Sequence, residues 1–294
     1  MPKKVLLLRG LGAALLLVLA TPAAASAGLI FPERGGSENA DKIWTLYLLI
    51  FVLALIVFIG VAGALVWALF KFRARRGAVA AQIHGNTRLE IGWTVGAFVI
   101  VVFITVFTFI VLPGIKNPPA SDIDENGNPV AANALFASTD QPDPPSGSAS
   151  LNIRVDGQQY VWRYQYPRQG DTQIFSYVDM VVPVGMTVTL DITADDVAHS
   201  WWIPKLGGKM DALPGYTNKT WFKIPESAIP EGEDQVVFQG QCAELCGRNH
   251  ANMVARVIGM RFDDYQAWVE RKSGEIEDAR RRAAETRKRL EEGE

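Results

Sequence analysis

Residues 240–253 read GQCAELCGRNHANM. This short stretch holds both cysteines of the chain, Cys242 and Cys246, together with His250 and Met253. Strand-like sequence lies on either side, QVVFQG at 235–240 and MVARVIGM at 253–260. The thiols are therefore expected on a loop between two strands. Taken alone, Cys-x3-Cys allows a disulfide, a redox thiol pair or a pair of metal ligands.

A disulfide is the plain reading for an oxidising compartment. Three features weigh against it. His250 follows Cys246 by four residues, and Met253 follows by three more. A second cysteine pair, which a closed zinc site would need, is absent from the sequence. Thiolate, imidazole and thioether together are the donor set of copper electron-transfer sites.

Outward from this loop, residues 151–270 keep a β pattern. LNIRVDG alternates, YVWRYQYP alternates aromatic with polar, and DMVVPVGMTVTLDIT gives two runs split by Pro183-Val184-Gly185. TNKTWFKI adds another strand, and DDYQAWVE reads as a short closing helix. Short strands divided by turn residues predict a β-sandwich. In DDVAHSWW, His199 is by base rate a core histidine, but a sandwich can carry a strand-end histidine up to a ligand loop. Cupredoxin domains do this, and their stiff scaffold keeps ligands fixed between oxidation states.

Toward the N-terminus, Ile43–Phe70 and Ile91–Ile115 carry no charged residue. Each is long enough to cross about 30 Å of hydrocarbon. Trp44, Tyr47, Trp67 and Trp93 stand near their ends as interfacial anchors. The result is a transmembrane hairpin over 43–115. Its loop, 71–90, bears Lys71, Arg73, Arg75, Arg76 and Arg88, which places it in the cytoplasm and both arms outside. Residues 1–27 (Lys3, Lys4, a Leu/Ala run, then Ala25-Ser26-Ala27) read as a cleaved signal peptide, a retained third helix being the alternative. An extracytoplasmic arm spans 28–42.

Residues 116–150, rich in Pro, Ser, Asp, Asn and Gly, read as a linker or surface insertion. Residues 271–294 read as a charged, helical or disordered tail with favourable i,i+4 pairs, either solvated or a docking element. Across 294 residues the net charge is −2, which excludes nucleic acid as a bulk electrostatic partner. Two cysteines are too few for a disulfide framework.

The hairpin, the stretch AHSWW…PKLGGKMDALPG and GQCAELCGRNHANM together resemble subunit II of haem–copper cytochrome c oxidase, over nearly the whole chain except 116–150 and the tail. The resemblance implies a two-helix transmembrane hairpin followed by an all-β, cupredoxin-like Greek-key sandwich, in the plasma membrane of a bacterium. It implies a dinuclear copper centre, CuA, held by His199, Cys242, the carbonyl of Glu244, Cys246, His250 and Met253. The Glu244 side chain resembles a carboxylate that reaches magnesium at the boundary with subunit I, and Asp211 lies beside that region. Glu90 resembles the carboxylate at the mouth of a proton path. Its plain reading is a helix-start acid. Implied partners are oxidase subunit I, which carries the haem, the other oxidase subunits, cytochrome c as donor, and membrane lipids.

Two departures from the family pattern concern the donor. The aromatic motif is GQQYVW (157–162), so Tyr160 stands where the family has the tryptophan that receives electrons. Trp162, Trp201 and Trp202 are the alternatives. Tyr216 stands where an arginine often follows DALPG. Residues 151–270 hold 15 acidic and 10 basic side chains, with Asp195 and Asp196 close to His199. They read either as a rim that steers a basic donor or as solvated turn acids. The competing functions are a quinol oxidase subunit II, a copper chaperone or thiol reductase of oxidase assembly, and a structural β-domain with a disulfide.

Overall fold

The computed structural model describes residues 31–73, 77, 79, 82, 84–128 and 149–292. The expected signal peptide, Arg75 and Arg76 of the loop, and residues 129–148 of the expected linker lie outside them. The described residues form two compact units, 44–112 and those on either side of it.

The first unit is helical. Helix α1 (Glu38–Lys71) has 34 residues and α2 (Thr87–Val111) has 25. At 1.5 Å per residue these reach about 51 and about 38 Å, more than a bilayer core requires. They are the two helices, among the described residues, that are long and apolar enough to cross a membrane. Asn86 caps α2, its side chain accepting from Leu89 N at 3.2 Å. The uncharged run continues to Ile115, but α2 stops at Val111. Pro113 has no N–H to continue the ladder, and a separate turn, α3 (Pro113–Lys116), follows.

The second unit is a sandwich of two five-stranded sheets, ordered β3-β2-β1-β5-β8 and β4-β10-β9-β6-β7. The first contains β1 (Leu151–Gln158), β2 (Val161–Gln165), β3 (Phe175–Tyr177), β5 (Thr187–Ala194) and β8 (Asn218–Lys223). The second contains β4 (Asp179–Pro183), β6 (His199–Trp202), β7 (Met210–Ala212), β9 (Gln235–Cys242) and β10 (Val254–Met260). Alternation sorts β1: Leu151, Ile153 and Val155 point inward while Asn152 and Arg154 face out. Trp162, Tyr164, Leu190 and Ile192 meet Met180, Val182, Phe238 and Val257 in the core. The expected break at Pro183-Val184-Gly185 is the β4–β5 turn, where Gly185 takes φ 76.

Strands β3, β6 and β7 are additions to the sequence reading. Each has only three or four residues, too short for alternation to show.

The described part of 116–150 is built into the sandwich. Ser121 is fully buried; it donates to Ala149 O (2.6 Å) and accepts from Thr187 N (2.8 Å), while Thr187 donates to Pro119 O (2.8 Å). Lys223, buried on β8, pairs with Glu38 (2.8 Å) and Asp122 (2.9 Å). The Trp221 indole donates to the carbonyls of Ile115 and Lys116.

The end of the chain is one continuous helix, α4 (Phe262–Glu292), rather than a short helix and a separate tail. Its first half buries Trp268, Val269 and Ile276, with Trp268 5.1 Å from the Tyr166 ring. Beyond Ile276, strong helix formers and the lack of proline carry it on. The single Gly274 costs about 1 kcal/mol, too little to stop it.

Candidate metal centre

The loop at 243–253 hangs between β9 and β10, which pair antiparallel with Gln241 opposite Val254. On its other edge β9 pairs with β6, with Trp201 opposite Cys242. This register brings His199, at the start of β6, beside the end of β9. The loop is closed by its own backbone: Cys242 N donates to Met253 O (2.8 Å) and Ala243 N to Ser200 O (2.9 Å). A 3-10 turn at His250–Asn252 then directs Met253 inward.

Six donors converge there. The Cys242 and Cys246 sulfurs lie 4.0 Å apart, twice the roughly 2 Å of a disulfide, and both thiols are free. His199 Nδ1 lies 3.9 Å from Cys242 Sγ, and His250 Nδ1 lies 3.6 Å from Cys246 Sγ. Met253 Sδ is 3.8 Å from Cys246 Sγ, and the Glu244 carbonyl is 3.2 Å from Cys242 Sγ. His199, Cys242 and Cys246 form a group with metal-ligand spacing. These three and Met253 are buried, while His250 is half-buried at the rim.

The electrostatics are those of a cation site. Burial raises the Cys242 thiol, but His199 and nearby backbone groups outweigh it, so its pKa falls below the ordinary value. Burial and the charge of Cys242 push Cys246 the other way. The pair accepts one negative charge readily and resists a second unless positive charge lies between the sulfurs. Soft sulfur with imidazole suits copper or zinc, whereas magnesium and calcium prefer oxygen. The donor set therefore fits the expected copper.

A surrounding layer holds these ligands in place. The second His199 nitrogen, Nε2, meets Asp196 Oδ1 at 2.9 Å. Burial opposes ionisation of Asp196, but hydrogen bonds from His199, Gln159 N and Val197 N prevail and lower its pKa. Gln159 N donates to Asp196 Oδ2 (2.7 Å), and Gln159 Nε2 to Cys246 O (2.6 Å). The β1–β2 turn thus grips both halves of the site. Trp162 packs edge-on to His199, centroids 5.8 Å apart. Sequence reasoning missed Asp196 and Gln159 in these roles. The Asp-x-x-His spacing was the available signal for the first; the second has none.

The other singled-out residues fall in different places. Tyr160 is half-buried, packed toward Gly247, whose φ is 134; a Cβ there would lie 2.6 Å from the Tyr160 hydroxyl oxygen. Trp162 and Trp201 are buried. Trp162 therefore cannot meet a docked donor, which corrects its reading as a surface electron receiver. Only Trp202 of the alternatives is partly open. Asp195 and Asp196 are not loose turn acids: Asp195 pairs with Arg163 (3.4 Å), and Asp196 holds His199. Glu244 and Asp211 have exposed side chains and join no metal-spaced group among the described residues. Glu90 lies exposed in the first turn of α2, in the other unit.

A family model described as cytochrome c oxidase subunit II, periplasmic domain, matches residues 176–259, and one described as its transmembrane domain matches 24–111. The chain is 35% identical over 230 residues to cytochrome c oxidase subunit 2 of Alkalihalophilus pseudofirmus, covering 76% of this chain and 58% of that protein. It is 32% identical over 245 residues to the probable cytochrome c oxidase subunit 2 of Rickettsia bellii, covering 77% of each. Among solved structures, the periplasmic domain of subunit II of cytochrome oxidase of Bradyrhizobium japonicum aligns at 31% identity and a TM-score of 0.39, covering 44% of this chain and 96% of that one.

Proposed function

The chain belongs to the cytochrome c oxidase subunit II family, and we propose that it is the electron-receiving subunit of a respiratory terminal oxidase. It takes electrons from cytochrome c at a dinuclear CuA centre. It passes them to the haem of subunit I, where oxygen is reduced to water with proton pumping. The observation that carries this reading is the paired donor set: two sulfurs 4.0 Å apart, each facing its own Nδ1. His199, Cys242, the Glu244 carbonyl, Cys246, His250 and Met253 would hold the metals. Copper bound there supplies a one-electron carrier.

The chain's own residues do the rest. Cys242 and Cys246 provide two thiolates from adjacent positions, and the β6–β9 ladder fixes one of them against His199. Asp196 sets which His199 nitrogen stays free, by occupying Nε2. Gln159 holds the Cys246 carbonyl, so the loop cannot swing away from the β1–β2 turn. Burial of His199, Cys242, Cys246 and Met253 excludes water, which keeps solvent rearrangement small when charge changes. Tyr160, half-buried against the loop at Gly247, is the receiving side chain for the donor. Trp162 serves as packing behind His199.

The basic 71–90 loop supports an extracytoplasmic position for the copper domain, at the plasma membrane. Magnesium at Glu244 would need further ligands from subunit I, and Glu90 would open a proton path there. Oxygen chemistry belongs to subunit I, since this chain offers no haem ligand pair within its membrane helices. The test is metal content and electron resonance of the copper-loaded full chain in detergent. Two coppers per chain and a mixed-valence signal spread over both are expected. One copper with a simple blue-copper signal would sink the dinuclear reading.

A further inference from the structure

His199 belongs to β6 in the second sheet, yet its ring reaches across the sandwich to Gly157 of β1 in the first. A Cβ at Gly157 would lie 3.0 Å from His199 Cδ2, 3.2 Å from His199 Cγ and 3.1 Å from Trp162 Cζ3. Carbon atoms pack at about 3.5–4.0 Å, so the imidazole takes up the room that a side chain would need. Gly157 continues the inward row of Leu151, Ile153 and Val155. It is the gap in that row, and His199 fills it. A glycine inside a strand weakens the strand and often marks a close approach. Its φ is not positive here, so the backbone does not demand glycine. The missing space does.

The walls of this notch are fixed. Gly157 pairs with Trp162 of β2 on one side and with Ala194 of β5 on the other, and its carbonyl accepts from Asp195 N at 3.0 Å. Trp162 is fully buried and stands edge-on to the imidazole. Asp196, next to Asp195, holds Nε2 at 2.9 Å. Backbone, indole and carboxylate thus bound the ring, and Nδ1 is left facing Cys242 Sγ.

We propose that Gly157 is a positioning residue for the copper ligand His199: its missing side chain is the notch that sets where Nδ1 stands against Cys242. Gly157 touches no metal and acts through the imidazole. A methyl group there must displace a neighbour. β1 is pinned along both edges and Trp162 is enclosed by the core, so the imidazole yields and leaves its set distances to Cys242 and Asp196. This role rests on copper binding at the site as proposed above.

The test uses the full chain in detergent, with Gly259→Ala as the matched control. At Gly259, on β10, a Cβ would meet Ile224, Val236 and Val184 at 3.0–3.3 Å. The crowding is equal, and none of the three is a copper ligand. Gly157→Ala should lower copper affinity about 10- to 100-fold in competition with a chelator, and should shift the electron-resonance and visible spectra. Gly259→Ala should leave affinity and spectra unchanged while losing comparable stability to denaturant. Trp162→Phe removes the edge that carries Cζ3, so the double variant should bind copper more tightly than Gly157→Ala and less tightly than Trp162→Phe. Where Gly157→Ala alone does not fold, the double variant against Trp162→Phe gives the same reading. Unaltered affinity and spectra on adding the methyl group, beside a wild-type chain that loads normally, overturn the role of Gly157 alone. Equal changes in Gly259→Ala overturn it too, since the cause is then general crowding. A wild-type chain that takes up no copper overturns the copper reading and this role with it.

Discussion

Asp196 Oδ1 lies 2.9 Å from His199 Nε2, on the side of the imidazole away from Cys242. The carboxylate fixes the tautomer and the ring angle, and its own partners, Gln159 N and Val197 N, fix the carboxylate. Asp196→Ala should lower copper affinity about 10- to 100-fold. The fold should survive, because the Asp196 side chain sits at the surface. Asp196→Asn keeps an acceptor and should lose less. Competition with a chelator measures both, and an unchanged Ala variant would remove the carboxylate from the account.

Cys242→Ser should abolish the mixed-valence signal expected of the copper-loaded chain, because a serine hydroxyl stays protonated at neutral pH and cannot supply the soft anionic donor of a thiolate. Met253→Leu is the informative contrast. Met253 is fully buried, and leucine conserves volume at a cost of roughly 1.5 kcal/mol or less. The folded variant should still bind copper with an altered spectrum and potential. Identical spectra would show that Met253 is packing alone.

Tyr160→Ala should slow electron input from cytochrome c in the assembled oxidase and leave the copper spectrum in place. Gly247→Ala probes the same contact from the other side. Its backbone region is nearly closed to side chains, and the new carbon would meet the Tyr160 hydroxyl. A loss of about 1–3 kcal/mol is expected by denaturant unfolding. If Tyr160→Ala leaves the rate unchanged while Trp202→Ala slows it, the receiving residue is Trp202.

Asp156 gives a pH prediction away from the metal. It is fully buried beneath Arg154 (2.8 Å) and Arg163 (3.0 Å), with Gln165 also donating. Burial alone would raise its pKa, but the bonds from Arg154, Gln165 and Arg163 outweigh this and lower it. A lowered folded-state pKa means the stabilisation is present above the unfolded value of about 3.9 and disappears as pH falls through the folded one. Asp156→Ala should cost about 1–3 kcal/mol at neutral pH, because Arg154 and Arg163 both keep access to solvent. Asp156→Asn should flatten the acid limb of a stability–pH curve; a limb of unchanged slope would exclude Asp156 as its source.

The convergence of the six donor groups was legible because five of them lie within twelve residues and their spacing is chemically unusual. His199 was reachable because a sandwich can return a strand end to a loop. Asp196 and Gln159 were not, since their roles depend on which way a turn faces, and a period-2 pattern does not encode that. Trp162 misled for a related reason: GQQYVW shows aromatics in a row, but alternation along β2 sends Trp162 inward. The long α4 was under-read because its apolar seam is sparse and the domain covers only half of it.

Lys223 sets the terms on which the molecule can be dissected. Its ammonium is balanced by Asp122, after the hairpin, and by Glu38, before it. A fragment cut at residue 150 discards both, along with Ser121 beneath Thr187 and the carbonyls that Trp221 binds. Restoring 116–128 returns one carboxylate and leaves the other missing. The piece that keeps all of these contacts is therefore a splice: the arm before the hairpin joined to everything after it, with the membrane helices looped out.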